Sequence, residues 1–288
     1  MKKIFIIFII VLLVSCDNNK KSNLDSHSTN SSIVTSNNIS NSSATDMNYF
    51  NVYYNLINND NVLITDSEII KQEIENISAK ISFLGLSDFS VSSEDNLLIR
   101  ISLHNDYYSY FPIIQRLIES DNNITFRSQD GTLLAMQEEM LDSKEYVTLI
   151  EGQHPYIKLN LSKSGVEKFD NEIIPIVGEN NKVIIWLGYD DKTSTVDQFA
   201  KFEELQNKAN QNGLVSLSQE ERILYNYYSY KILTFATISS SLIESGGLGG
   251  ICETSFVLNN NYSYDECLLI VRIINSLKNA YSIKNVLK

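Results

Sequence analysis

The longest apolar run in the chain, Ile4 to Val14, is too short to cross a bilayer as a stable helix, and no later stretch approaches the about 20 residues that a span needs. The chain beyond this run therefore has to fold by burying side chains in its own core. About 240 residues from Met47 onward are enough for one large domain or for two smaller ones that share an interface. The run itself follows Met1-Lys2-Lys3 and ends in Leu13-Val14-Ser15-Cys16. Two lysines before a short apolar stretch closed by small residues form an export signal, and the cysteine at its end reads as the lipid acceptor of a bacterial lipoprotein. The expectation is a signal peptide at 1–15 and lipid attachment at Cys16. Acyl chains, a palmitate-type anchor, would then hold the protein on the extracytoplasmic face of a cell membrane, in the periplasm or at the surface. The alternative is an ordinary signal peptide followed by a buried cysteine.

Residues 16–46 are mostly Ser, Asn and Thr. So few large apolar side chains cannot offset the entropy of ordering, which predicts a disordered tether. Its length holds the folded part roughly 30 Å from the membrane. Across the whole chain 35 acidic residues outnumber 23 basic ones, a formal charge of -12, and no basic cluster appears. A nucleic-acid partner is not expected. Beyond Cys16 the cysteines are Cys252 and Cys267. In an exported chain they either form a disulfide, which would close a loop of about fifteen residues and stabilise by roughly 3 kcal/mol, or remain two buried thiols.

Periodicity divides the rest. Thr65-Asp66-Ser67-Glu68 has capping-box spacing, and Ile69, Ile70, Ile74, Ile77, Ile81 and Leu84 recur at helical intervals up to Gly85. Phe89 to Ser92 and Leu97 to Leu103 read as a hairpin, Tyr108 to Glu119 as a helix, and Ile124 to Arg127 as a strand before the Asp130-Gly131 turn. This predicts a ferredoxin-like α-β-β-α-β base lobe at 47–137. The remainder, 138–288, reads as a second lobe of helices on a sheet: strands at Tyr156 to Leu161, Val183 to Leu187, Ile232 to Ile238 and Ile251 to Val257, and helices at Ser162 to Ile173 and after Ser263. Between about 190 and 230 lies an inserted helical hairpin with a second capping box, Ser218 to Glu221. The fold class is α+β with two lobes.

No catalytic, cofactor-binding or metal site emerges. Gly246-Gly247-Leu248-Gly249-Gly250 lacks the Lys-Ser or Lys-Thr of a phosphate loop and reads as a connection between strands. Asp190-Asp191 and Glu220-Glu221 have no fixed companions, and carboxylates at helix starts suit the helix dipole. His104 and His154 stand without a second ligand at metal spacing. No serine occupies a nucleophile elbow. A hydrolase would need a deep pocket joining His154 to a carboxylate and a serine. Two tyrosine groups remain, Tyr107-Tyr108-Tyr110 and Tyr225-Tyr227-Tyr228-Tyr230. Either they pack between helix and sheet, or, if exposed on the hairpin, the second group serves to bind a partner.

Two segments resemble the first periplasmic domain of the protein-export subunit SecD, also found fused as SecDF. Lys80-Ile81-Ser82-Phe83-Leu84-Gly85-Leu86-Ser87-Asp88 is similar to that family's helix-ending pattern, with Lys80 in place of arginine and Phe89 in place of proline. Ile157 to Phe169, with Gly165-Val166-Glu167-Lys168-Phe169 opening a helix, is similar to the strand and helix of its head. Val183 to Leu187, Ile232 to Ile238, Gly246 to Phe256 and Tyr264-Asp265-Glu266 fall where the family has an apolar strand, another strand, a Gly-rich loop with its strand, and a final helix. The family's Asp-Gly turn and Ser-Ala-Pro are missing, and the helical insertion stands there instead. The resemblance implies a base and a head, and contact with exported polypeptide or the Sec translocase. Without membrane spans a proton-coupled motor is not expected. The reading is a lipid-anchored, non-enzymatic binding protein accessory to protein export. Its rival is a surface lipoprotein that binds an envelope or host ligand on a reused fold.

Overall fold

The computed structural model describes residues 48–286 apart from 59, 96–97, 121–122, 190–194, 259–262 and 276–280. They lie in one unit by contact, Asp46–Lys288. The expected signal peptide 1–15, Cys16 and the tether 16–46 fall outside the described residues.

The first lobe is set by alternation. In β1 (Tyr49–Asn58) the residues Phe50, Val52, Tyr54 and Leu56 turn to the core, and in β3 (Leu98–His104) so do Ile99, Ile101 and Leu103. Between them in sequence come α1 (Ser67–Phe83) and β2 (Phe89–Glu94), and α2 (Phe111–Glu119) follows a 3-10 turn at Asn105–Tyr110. The Asp66 carboxylate caps α1 by accepting the N–H groups of Glu68 and Ile69 at 2.9 and 3.2 Å, so the cap falls one residue beyond the expected Thr65. Ile70, Ile77 and Ile81 press α1 into the core. Glu73, Asn76, Lys80 and Phe83 form a second buried stripe along the helix, in which Asn76 Nδ2 donates to Glu73 at 3.2 Å.

The sheet order is β11-β1-β3-β2, with β11 at Tyr281–Val286 and every neighbour antiparallel. A β-α-β-β-α-β chain in this order is the ferredoxin-like split βαβ arrangement. The order α1-β2-β3-α2 is as expected, but β1, which the α-β-β-α-β expectation lacks, adds a strand before it, and the closing strand differs too. The fourth strand comes from the chain's far end, and the strand after α2 goes elsewhere. The segment 138–288 is therefore not all second lobe, because its last strand completes the first sheet.

Everything between α2 and β11 builds the second lobe. In order these elements are β4 (Ile124–Ser128), β5 (Leu133–Met136), α3 (Gln137–Met140), β6 (Val147–Ile150), β7 (Tyr156–Asn160) and α4 (Lys163–Lys168). Helix α4 runs through a π turn at Phe169–Ile173 into α5 (Ile174–Val177), followed by β8 (Lys182–Leu187), α6 (Thr195–Asn212), α7 (Gln219–Lys231) and β9 (Ile232–Thr237). Last come α8 (Ser240–Glu244), α9 (Gly247–Gly250), β10 (Ser255–Val257) and α10 (Tyr264–Asn275). They form two antiparallel sheets, β5-β4-β8-β9 and β10-β7-β6. The whole is α+β, with several small antiparallel sheets.

Strand β8 is buried on both faces, which explains its unbroken apolar sequence. Val183, Ile185 and Leu187 face the main core, while Ile184 and Trp186 pack with Phe199, Phe202 and Ile232. The helical pair α6/α7 therefore covers a sheet. Burying Phe199 and Phe202 stabilises this cover by about 1.5–3 kcal/mol each. A satellite cluster of Leu205, Ala209 and Leu217 closes the far end of the pair.

Candidate binding face

Among the described residues one side of the first sheet is packed by helices and the other is not. On β1 the uncovered side carries Tyr49, Asn51, Tyr53 and Asn55; on β3 it carries Arg100, Ser102 and His104, and on β2 Ser90, Ser92 and Glu94. None of these residues is buried as a whole, although one Glu94 carboxylate oxygen is enclosed. The register sets Tyr49 opposite His104, Asn51 opposite Ser102 and Tyr53 opposite Arg100. The Tyr49 and His104 rings meet edge to face at 5.4 Å, and the Tyr49 hydroxyl donates to Asp88 at 2.7 Å. Ser102 Oγ donates to the Asn51 side-chain carbonyl at 2.6 Å. His104 Nδ1 accepts the N–H of Asp106, which anchors the imidazole to the following 3-10 turn. Tyr108, 70% exposed, lies on the other side of the sheet, where its ring meets the core-facing Phe50 edge to face at 5.4 Å. Rings, amides, hydroxyls and one guanidinium thus share an open surface that can hydrogen-bond and stack with varied polypeptide groups.

Periodicity alone does not single out β1, because Tyr49 and Tyr53 at outward positions blur the alternation of apolar and polar residues from Tyr49 to Leu56.

The residues singled out from sequence fall elsewhere. Tyr227 and Tyr230 are buried, and Tyr225 and Tyr228 are half-buried. Tyr230 meets Phe83 of α1 edge to face at 5.5 Å, Tyr225 stacks on Phe202 at 6.1 Å, and Tyr227 meets Tyr228 at 5.4 Å. Burial pushes the hydroxyl pKa of Tyr225 and of Tyr228 up. These rings pack the hairpin against the body and do not present a partner-binding surface. Cys252 and Cys267 are not bridged. Cys267 is wholly enclosed in α10, where burial raises its thiol pKa, whereas Cys252 is exposed after α9 at a φ of 58°. A bridge would need the outer sulfur to enter the core. His154 is exposed. Glu221 completes the Ser218 capping box and holds Lys208 at 2.8 Å; that hydrogen bond, with the Ser218 N–H, lowers its carboxyl pKa. Asp190 and Asp191 lie outside the described residues.

The glycine cluster is a short helical turn whose N–H groups are taken by the chain's own carboxylate. Leu248 N–H donates to Asp170 Oδ1 at 2.7 Å and Gly249 N–H to Oδ2 at 2.9 Å. Asp170 lies in the π turn, which aims it at the glycines. A Cβ on Gly247 would stand 2.1 Å from that carboxylate, at a φ of +79°. The anion position that such a turn offers is filled internally.

Among the described residues no group of three or more His, Cys, Asp or Glu is placed to hold a metal ion, and no helix is long and apolar enough to cross a membrane.

No family model and no curated protein matches the chain. Among solved structures it is similar to one of SecDF, described as a membrane component that enhances protein export, with 11% identity, a TM-score of 0.32, and coverage of 83% of this chain and all of that one. It is also similar to a crystal structure of SecDF in a super-membrane-facing form, with 12% identity, a TM-score of 0.31, and coverage of 81% of this chain and 30% of that one.

Proposed function

We propose that the chain is a lipid-anchored, extracytoplasmic polypeptide-binding protein, accessory to protein export and without a catalytic role. The observation that supports it best is the uncovered face of the β11-β1-β3-β2 sheet, where Tyr49, Asn51, Tyr53, Arg100, Ser102 and His104 form an open polar surface. A sheet that packs one face and leaves the other to solvent is ordinary. One that lines the open face with rings and an arginine suits recognition, since those residue types dominate interface contacts. The SecD-like segments Lys80 to Asp88 and Ile157 to Phe169 support an export setting, and the Cys16 motif supports the membrane anchor. An acyl anchor holds a domain at the surface but passes no protons, so the role is that of a tethered binder.

The test is affinity capture of the full chain from detergent-solubilised membranes, compared with an Arg100→Glu/Tyr53→Asp variant. Recovery of Sec translocase subunits or of unfolded export substrates by the parent, reduced in the variant, is the expected result. Recovery of neither would contradict the proposal. Metabolic labelling with palmitate, lost in Cys16→Ser, tests the anchor.

A further inference from the structure

Among the described residues no strand pairs with the outer edge of β2. His104 N–H donates to the Asp88 carbonyl at 3.1 Å, which makes 88 and 104 a hydrogen-bonded pair. With Ser90 opposite Ser102 and Ser92 opposite Arg100 in the same register, the residues bonded to β3 are 90, 92 and 94. The backbone N–H and C=O groups of Phe89, Val91 and Ser93 therefore point away from the sheet. β2 is the last strand in the order, and it carries no proline, lysine or bulge of the kind that blunts exposed edges.

The flanking side chains specify what fits there. Phe89 and Val91 lean to the α1 side and are only half-buried, so apolar area remains along that border. Ser90 and Ser92 line the open side, between Asp88 and Glu94 at the two ends. A second copy pairing antiparallel about Val91 would set Asp88 of one chain opposite Glu94 of the other, and like charges directly across a ladder are unfavourable. An incoming strand with apolar residues over Phe89 and Val91 and a cation near each end meets all of these groups, and the net charge of -12 favours a basic partner. We infer that the β2 edge takes up an extended, alternating, cationic segment of another polypeptide by strand addition. The inference rests on the polypeptide-binding reading above and names the site and backbone geometry of that binding.

The probe is the capped, fluorescein-labelled heptapeptide Lys-Val-Thr-Val-Thr-Val-Lys, titrated against the full chain by anisotropy. N-methylation at the threonines blocks the peptide's far edge and its self-association; N-methylation at the valines removes the N–H groups that face β2. The threonine-methylated peptide is expected to bind, and the valine-methylated one to bind at least about tenfold more weakly. Ser93→Pro, which removes an outward N–H and leaves the β3 ladder intact, is expected to weaken binding similarly. Equal binding of both peptides overturns the inference without need of a variant. So does a concentration-dependent dimer that Ser93→Pro abolishes while leaving the peptide untouched. If the chain captures unfolded polypeptide but neither peptide, the edge assignment fails and the proposed function stands; if it captures no polypeptide in any form, the proposed function fails as well.

Discussion

Replacing Asp170 by Ala should loosen the joint between the π turn and the glycine turn. The carboxylate accepts two backbone N–H groups, from Leu248 at 2.7 Å and from Gly249 at 2.9 Å. A hydrogen bond to a charged acceptor contributes about 1.5–3 kcal/mol. The site is only half-buried, so water can replace part of what is lost, and the low end applies to both bonds together, about 2–3 kcal/mol. For a folded part of this size that corresponds to a fall in Tm of about 4–12 °C. Asp170→Asn keeps one acceptor and should lose about half as much. Gly247→Ala attacks the same joint from the other side, because its Cβ would stand 2.1 Å from Oδ1 at a φ of +79°. The strained backbone alone costs about 1–2 kcal/mol. In an Asp170→Ala background the clash disappears, so Gly247→Ala should cost less there than in the parent chain. Urea unfolding of the four chains measures the cycle. Strictly additive effects, or a loss below about 0.5 kcal/mol for Asp170→Ala, would refute the clamp.

Other outcomes come from the packing. Phe202→Ala should destabilise by about 3–5 kcal/mol and shift the emission of the single, fully buried Trp186 to the red, whereas an unattached hairpin would leave the emission unchanged. Glu221 has its carboxyl pKa lowered by Lys208 and the Ser218 N–H, so its contribution is present above the ordinary glutamate range near 4.5 and is lost as pH falls below it. Urea midpoints from pH 7 to pH 3 should therefore fall more steeply for the parent than for Glu221→Gln, and identical slopes would count against that pair. Thiol labelling of the native chain should modify Cys252 rapidly and Cys267 only on unfolding; a mass two units low with both thiols unreactive would mean that they are bridged.

Locally ordered features were readable. The α1 repeat of isoleucines, the β2-β3 hairpin, the Ser218 and Ser263 capping boxes and the buried β8 all depend on neighbours within a few residues, and periodicity reports those. Sheet membership depends on pairing across the chain. β1 meets β11 more than 220 positions away, with Tyr53 opposite Val286, and nothing local to either strand announces it. The same distance explains why Ile124 to Arg127 looked like the closing strand of the first sheet although it pairs with β5 and β8. The tyrosines of α7 leave packing and partner binding both open in sequence, because the polar hairpin gives no sign of the packing supplied by Phe83 and Phe202. The open face went unread because its residues become a face only when β1, β2 and β3 lie side by side.

The central claim, that this open face meets exported polypeptide at the membrane, is tested most directly by a photo-crosslinking residue placed at Arg100 of the full chain in living cells. The account predicts adducts with secretory chains during their synthesis and export, absent when the same residue is placed at Lys71 on the exposed side of α1. Adducts only with a folded envelope or host component, or equal adducts from both positions, would contradict it.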